Sequence, residues 1–564
     1  MKQIIYTIIT GVAISFTACT DYLDPNPYDG VFTDEYVWEN ATYARGVLYQ
    51  AYQDIPNTYR IANGQFLEYA TDDAVTNNQN SNIRDLGLGT LSSTFNVLNY
   101  WNSRYTSIRH INEYLENVPE DIIHYAADSA INARFIERLK GEALFLRAFK
   151  HWELLKLYGG MVNGNIMGVP IVKQVLSEEE VSMLERPTYS ECVNAIIEDC
   201  NEAEMYLPNI YEGDDQVVGV DHYGGATSDA CRALKAVVSV YHASEAFNIP
   251  QKDELWDTAA FYLIEALNSL DGGINSDALP QRNFFEPENE DIIWRGHYAE
   301  GSLALEKDNF SPSLFGNGRT NPSQNLVDAF PDSAGYPIVE SSVYNPDFPY
   351  QGRDKRFYDY ILFNGSMIDS TTFIETFRGG NDSKEVYGAL ATNTGYYLKK
   401  FLNTSATLSP RETGRHITYY AVLSKTDLYL LLAEAINEIE GPDATTVCGI
   451  SAKDVLSKIR KRAGYSSDPF LYGISSPDDF KERIKNERRI ELCFEGYRFW
   501  DLRRWNEKIN DVPVNGVSII RENDSVFSYN VITVETRKFN SIYMPLPDDQ
   551  IQLMSNLDQN DDWK

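Results

Sequence analysis

The sequence predicts a mainly α-helical fold, with a tetratricopeptide-like helix-pair scaffold and an irregular, loop-rich lobe containing short strands. Two observations predict this class. Segments in which apolar residues recur at helical spacing are repeated along the chain and end at glycines or prolines. Residues 271–355, in contrast, are rich in Gly, Pro, Asn and aromatic residues and show no sustained period. The 34-residue repeat is not regular, because large insertions separate the helix pairs.

The helical segments have recognisable ends. They cover residues 131–158, 188–206, 228–247, 256–270, 424–441, 451–464 and 478–496. Gly159 follows the first segment and Gly272 the fourth, as expected for helix C-termini. Ser424 and Ser451 each precede an Asp by three residues, which is close to a capping box and predicts a helix start. Residues 56–100 and 506–545 are predicted to be irregular, like the long stretch.

The composition is acidic and rich in aromatic residues. The 564 residues include 49 Lys plus Arg against 82 Asp plus Glu, a formal net charge of −33. Such a surface repels phosphate backbones and anionic lipids, so a nucleic-acid partner is not expected. Most of the 37 Tyr, 26 Phe and 8 Trp fill the fold, but rings in loops are candidate stacking platforms for polar, ring-shaped ligands.

The first 18 residues have the pattern of a secretory signal peptide. Lys2 precedes an apolar run that continues to about residue 18 and is shorter than a membrane-spanning helix. Ala18 before Cys19 resembles the lipobox of bacterial lipoproteins, in which the protein is cut before the Cys and its sulfur carries a lipid. We therefore predict lipidation at Cys19; an ordinary or disulfide-bonded thiol is the alternative.

Common catalytic and metal-binding motifs are absent. The sequence contains no HExxH, no GxxxxGK[ST] and no GxSxG, and DQNDDW near the C-terminus lacks the Gly turn and final Glu of an EF-hand loop. We therefore predict no catalytic residues, no metal and no cofactor. A glycoside hydrolase stays open as an alternative, since two carboxylates at the right separation are enough for that chemistry.

Five segments, in order, carry a resemblance. They are LKGEALFLRAFKHWELLKLYGG, GVPIV at 168–172, GRDKRFYDYIL from 352, NERRIELCFEGYRFWDLRRW at 486–505 and YMPLPDDQIQLMSNLDQNDDW at 543–563. Together they resemble the SusD/RagB family of Bacteroidetes outer-membrane lipoproteins. The resemblance divides the chain into a signal peptide (1–18), an N-terminal region (19–210) and a C-terminal region (211–564) whose irregular lobe covers about 271–420.

The resemblance implies a surface-exposed, lipid-anchored protein of the outer membrane. Members of the family capture oligosaccharides, deliver them to a TonB-dependent transporter of the SusC type and have no catalytic activity. Two alternatives remain: a binder of peptide or another nutrient for the same type of transporter, and a secreted glycoside hydrolase.

Two loop regions combine aromatic faces with polar groups, as a sugar site requires. In some family members an early acidic loop and a following Trp contribute to ligand binding, and residues 68–105 resemble that arrangement. The candidate ligand residues are Asp73, Arg84, Trp101 and Arg104 from this region, and Trp294, Tyr298 and Phe310 from residues 292–315.

The segment 486–505 is predicted to be structural. Four of its charged residues are expected to form ion pairs: Glu487, Arg488, Glu491 and Glu495. Its aromatic residues are expected to pack in the core. An interior arginine needs carboxylate or carbonyl partners. We therefore expect Arg498 or Arg503 to bond acidic side chains.

Overall fold

The computed structural model describes residues 33–62, 64–119, 122–277, 279–287, 289–296, 302–368, 372–409, 411–414, 417–524 and 526–564. The predicted signal peptide and the predicted lipidation residue Cys19 lie outside these residues.

Helices dominate the described chain. They are α1 (Asp34–Glu39), α2 (Ala41–Gln53), α3 (Asn82–Gly87), α4 (Trp101–Asn117), α5 (Ser129–Tyr158), α6 (Glu178–Ser182), α7 (Tyr189–Glu204), α8 (Ser228–Ala243), α9 (Glu254–Ser269), α10 (Ala304–Asn309), α11 (Gln324–Ala329), α12 (Lys355–Tyr360), α13 (Lys384–Tyr387), α14 (Lys425–Glu440), α15 (Ala452–Arg462), α16 (Pro469–Gly473), α17 (Pro477–Glu491), α18 (Tyr497–Arg504) and α19 (Asp548–Leu553). Within the described residues, none of them combines the length and apolar composition that crossing a membrane requires.

The strands form antiparallel pairs, most of them very short. They are β1 (Ala74–Thr76), β2 (Gly160–Val162), β3 (Asn165–Met167), β4 (Ile292–Arg295), β5 (Thr320–Pro322), β6 (Ile361–Leu362), β7 (Tyr397–Leu398), β8 (Ala421–Ser424), β9 (Val512–Arg521) and β10 (Phe527–Arg537). The pairs are β1–β5, β2–β3, β4–β8, β6–β7 and β9–β10.

The long helices pack against one another in chain order. Helix α2 contacts α4, α4 contacts α5, and the series continues through α7, α8, α9 and α14 to α15 and α17. One buried hydrophobic cluster runs through these helices. Residues 271–355 contain only short elements between loops, within their described part. The predicted mainly helical scaffold with an irregular lobe is confirmed.

The predicted capping signals set the helix boundaries. The Ser424 hydroxyl accepts a hydrogen bond from the Asp427 N–H, and Ser451 forms a reciprocal capping box with Asp454. These contacts satisfy N–H groups that a helix start otherwise leaves without partners. Gly441, at φ +81°, follows α14 in a conformation that side chains with a Cβ rarely adopt.

Residues 506–545, predicted to be irregular, contain a long β-hairpin. Strands β9 and β10 pair from Phe527 with Arg521 to Arg537 with Val512, with a register shift between Thr533 and Glu535. Val, Ile and Thr dominate both strands and favour extended backbone. The prediction for this stretch was wrong, because these β-branched residues outweigh the Asn and Gly between them.

The ion pairs predicted for residues 486–505 are confirmed. Glu487 accepts from Arg356 at 2.7 Å, and Glu491 accepts from Arg356 at 2.7 Å and Arg462 at 2.8 Å. Burial works to raise the pKa of Glu487, but the arginines around it outweigh burial and lower the pKa to about 2. Glu495 pairs with Lys400 at 2.7 Å. The segment thus joins α12, α15 and α17 through buried charges.

The two arginines of interest have different surroundings. Arg498 pairs with Asp72 at 3.1 Å, as expected. Arg503 has no carboxylate partner among the described residues; its guanidinium lies 3.5 Å from the centre of the Phe499 ring and 4.7 Å from that of Phe539. Burial lowers the pKa of Arg503 to about 9. Stacking between rings, which the sequence did not indicate, holds this side chain.

Candidate ligand-binding site

A cavity of about 450 Å³, here called the central cavity, lies where the two ends of the helical scaffold meet. One wall comes from residues 54–62, the start of α4 and the C-terminal third of α5. The other wall comes from α8, β8, the start of α14 and residues 495–500. Its size is within the range of small-ligand sites, about 300–1,000 Å³.

Aromatic side chains give the central cavity its character. The lining includes Tyr100, Trp152, Tyr241, Tyr420, Tyr497 and Trp500. Among the residues that the structure describes, their hydroxyl and indole N–H groups have no hydrogen-bond partner. Polar groups in a folded interior are normally paired. The wall therefore presents apolar ring faces together with unused hydrogen-bonding groups.

Ion pairs line the α4–α5 side of the cavity. Arg104 bonds Glu153 at 2.9 Å and lies 3.5 Å from Asp54. Lys150 bonds the other oxygen of Glu153 at 3.2 Å. Burial works to raise the pKa of Glu153, but Lys150 and Arg104 outweigh it and hold the pKa below its ordinary value. Glu153 is thus kept ionised.

Lys156 stands one turn further along α5, between two indole rings. Its ammonium nitrogen lies 5.8 Å from the centre of the Trp152 ring and 5.2 Å from that of Trp500. In the described part of the chain it has no hydrogen-bond acceptor and no carboxylate within 4.0 Å. Burial lowers the pKa of the ammonium, partly offset by Glu153.

The opposite wall also carries paired charges. Asp427, at the start of α14, accepts from Arg488 at 2.8 Å, and Arg488 also bonds Asp501. Burial raises the pKa of Asp427, although Arg488 works against that rise. Near the rim, Arg60 pairs with Asp308 at 2.6 Å.

Of the residues predicted to bind ligand, Arg104 lines the central cavity. Trp101 instead lines a neighbouring cavity of about 290 Å³, together with Tyr105 and Arg109. Trp101 is only 2% exposed, and its ring packs against Tyr105 at 4.9 Å and Tyr158 at 5.2 Å. Its ligand contact stays a prediction, limited to the edge that faces this second cavity.

The early acidic loop is occupied by structural ion pairs. Asp73 is fully buried and bonds Arg489 at 2.7 Å, and the neighbouring Asp72 bonds the same guanidinium at 2.8 Å. Arg84 bonds Glu535 of β10 at 2.5 Å. The charged groups of Asp73 and Arg84 are therefore paired within the protein, and their ligand contacts stay predictions.

The second predicted region lies in the core. Trp294 is 2% exposed, contacts the rings of Phe145 and Phe149, and donates its indole N–H to the Gly224 carbonyl at 3.2 Å. Phe310 is also 2% exposed. At these exposures neither ring offers an open face for stacking in this structure, and the ligand contacts of Trp294 and Phe310 stay predictions. Tyr298 lies outside the described residues.

Most of the cavity lining was not among the predicted ligand residues. Trp152 and Lys156 lie four residues apart in the segment 131–158, which was predicted only to be helical, and Trp500 belongs to the segment that was predicted to be structural. Tyr420 follows a loop without a motif. A signal existed for one pair: an aromatic residue and a lysine at i, i+4 share one helix face.

Two family models match the chain. The model described as "SusD family" matches residues 291–563, and the model described as "Starch-binding associating with outer membrane" matches residues 21–219. Together they cover both ends of the scaffold and the lining residues of the central cavity, except Val237 and Tyr241 of α8.

Similar proteins extend over nearly the whole chain. A SusD-like protein of Formosa agariphila is 22% identical over 89% of this chain and 90% of its own. A second from the same organism is 23% identical over 92% and 94%. A solved SusD-like protein of Bacteroides fragilis covers 94% of this chain and 98% of its own, with 23% identity and a TM-score of 0.71.

One further solved structure is described as a laminarin-binding SusD-like protein. It covers 93% of this chain and 99% of its own, with 18% identity and a TM-score of 0.56. At such identities the solved structures show only the fold. The two family models and the two relatives, in contrast, match the amino-acid sequence itself. The chain belongs to the SusD/RagB family.

Proposed function

We propose that this protein is a surface lipoprotein that binds oligosaccharides and delivers them, unaltered, to a TonB-dependent outer-membrane transporter of the SusC type. Family membership supports this, as do the starch-binding description of the model at residues 21–219 and the laminarin-binding description of one similar structure. The observation that carries the proposal is the central cavity, lined by aromatic rings with unpaired hydroxyl and N–H groups.

The chemistry of that wall suits a sugar. A pyranose ring has C–H groups on its faces and hydroxyls around its edge, so it needs both apolar surface and hydrogen-bonding groups. Tyr and Trp supply both in one side chain. Tyr100 comes from the α4 side of the cavity and Tyr420 and Tyr497 from the opposite wall, so hydroxyls are available on both sides.

The pairing of the cavity's carboxylates supports binding without cleavage. Hydrolysis of a glycosidic bond uses one carboxylic acid as proton donor and a second carboxylate as base or nucleophile. Among the described lining residues, Glu153, Asp54, Asp427 and Glu495 all face cationic partners within the protein. Glu153 is also held ionised, which does not suit a proton donor.

The proposal is tested by titrating the purified protein with oligosaccharides while sampling the mixture by chromatography. Neutral glucans, including laminarin fragments and maltooligosaccharides, and acidic oligosaccharides form the panel, and peptides of similar length are the comparison. We expect saturable binding of at least one oligosaccharide, which is recovered with its chain length unchanged. Binding of peptides alone, or shortening of the oligosaccharide, would contradict the proposal.

The membrane attachment is tested separately in cells. Cys19→Ala is expected to release the protein from the membrane fraction, because acyl chains on the sulfur supply the anchoring energy, about 0.8 kcal/mol per buried methylene. Retention of the variant at the parent level would reject the anchor. Delivery to a transporter predicts that the tagged protein copurifies with a TonB-dependent barrel protein after mild detergent extraction.

A further inference from the structure

Lys156 is exceptional among the charged groups of the central cavity. Every other charged lining residue has an oppositely charged side chain close to it within the described chain, whereas the Lys156 ammonium has two indole rings and no carboxylate within 4.0 Å. An ammonium carries three hydrogen-bond donors. Moving a charge out of water is costly unless an opposite charge compensates it.

The surrounding groups leave Lys156 as the uncompensated charge on its side of the cavity. On its own helix, Glu153 is shared between Lys150 and Arg104, and Asp54 faces Arg104 at 3.5 Å. This cluster contains three cations, Lys150, Arg104 and Lys156, and two carboxylates, so it carries a net charge of one positive unit.

The other elements packed around Lys156 do not supply the missing charge. Asp427 of α14 is paired with Arg488 at 2.8 Å. Helix α8, the residue before strand β8 and helix α18 contribute Tyr241, Tyr420 and Tyr497, which are uncharged donors because burial raises the pKa of each hydroxyl. A ligand group that balances Lys156 must therefore be acidic.

We propose that the central cavity binds sugars that carry an anionic substituent, a carboxylate or a sulfate ester, and that Lys156 pairs with that substituent. This rests on the proposed function, since it specifies the class of glycan for the same site. Trp152 and Trp500 on either side of the ammonium provide ring faces for the sugar that carries the acidic group. The preference for anionic sugars must come from direct contact with Lys156, because a chain of net charge −33 repels anions at long range.

The test compares matched pairs of oligosaccharides that differ only in charge. One pair is oligogalacturonate and its carboxyl-reduced counterpart; the other is a chondroitin sulfate oligosaccharide and its desulfated counterpart. Calorimetric titration gives a dissociation constant for each. We expect the charged member of at least one pair to bind about tenfold or more tightly than its partner, which corresponds to about 1.4 kcal/mol. The pair that responds distinguishes carboxylate from sulfate.

Two variants connect this preference to Lys156. Lys156→Met keeps a side chain of similar length without the charge and is expected to reduce the charged-to-neutral affinity ratio to about one. Lys156→Arg keeps the charge and should retain part of the ratio. Lys384→Met removes a charge from the exposed helix α13, outside the cavity lining, and should leave the ratio at the parent value.

The outcomes separate the two proposals. Equal or tighter binding of the neutral members overturns the anionic preference and leaves the glycan-binding function standing. A ratio that survives in Lys156→Met overturns the assignment of Lys156. Failure of every oligosaccharide, charged and neutral, to bind overturns both the proposed function and this inference.

Discussion

Trp500→Ala provides the most direct test of the central cavity. Trp500 lies on α18, half-buried, and lines the cavity. Its ring centre is 4.9 Å from that of Phe499 and 5.2 Å from the Lys156 ammonium. The substitution removes the ring as a stacking surface and leaves the backbone of α18 in place. The expected result is weaker oligosaccharide binding in a protein that remains folded.

The size of the effect follows from the area that a sugar covers. A buried aromatic side chain accounts for about 150–250 Å². If a pyranose covers about a quarter of that area, the variant leaves roughly 50 Å² of apolar sugar surface uncovered. At about 25 cal/mol per Å² this loss is worth about 1.2 kcal/mol. That corresponds to an increase of about eightfold in the dissociation constant.

Calorimetric titration with the tightest oligosaccharide of the panel measures this change. Trp38→Ala is the matched control, since Trp38 is also a half-buried tryptophan but lies on α1, outside the cavity lining. Thermal unfolding of both variants checks that the fold is kept. If Trp500→Ala binds with the parent dissociation constant, the Trp500 ring does not contact the ligand. That result would refute the proposal that the aromatic wall of the central cavity binds the sugar.

Three further predictions concern the scaffold. Glu491→Gln removes one carboxylate from the buried network around Arg356 and Arg462, although Arg356 keeps Glu487. We expect about 3–5 kcal/mol of lost unfolding free energy in guanidinium titrations; a loss below about 1 kcal/mol would show that the network relaxes. Trp101→Ala should cost about 3–5 kcal/mol because the ring is core, and unchanged oligosaccharide affinity would remove Trp101 from the ligand site. Burial raises the pKa of Glu68 to about 7, so the folded state favours its protonated form. This contribution is complete below the unfolded pKa of about 4.5 and is lost as pH rises through 7, so Glu68→Gln should gain about 3 kcal/mol relative to the parent between pH 5 and pH 8.5. A pH-independent difference would contradict it.

The fold could be predicted because its signals are local. The serine caps of α14 and α15 and the helical spacing of apolar residues act within a few residues, and the observed boundaries lie within five residues of the predicted ones. The β9–β10 hairpin was missed although β-branched residues were present. Each strand is stabilised by pairing with the other across the turn, so the sequence of one strand alone does not predict the hairpin.

The acidic loop shows why the site was harder to predict. Asp72 and Asp73 look available in the sequence, but arginines more than 400 residues later bond them, Arg489 and Arg498. A carboxylate is a ligand group only if no guanidinium of the same chain reaches it first. Local sequence contains no information about a partner at such a separation.

Hydrogen-bonding capacity, rather than residue type, distinguishes the rings that can meet a ligand. Trp294 donates its indole N–H to the Gly224 carbonyl, and Trp505 donates to Glu434, so both have used their polar group inside the fold. In the described chain, the indole N–H groups of Trp152 and Trp500 have no acceptor, and both face a cavity. A donor that is unpaired beside open space can bond a ligand placed there. The same holds for the ammonium of Lys156, and under our proposal a bound acidic sugar is the partner of all three.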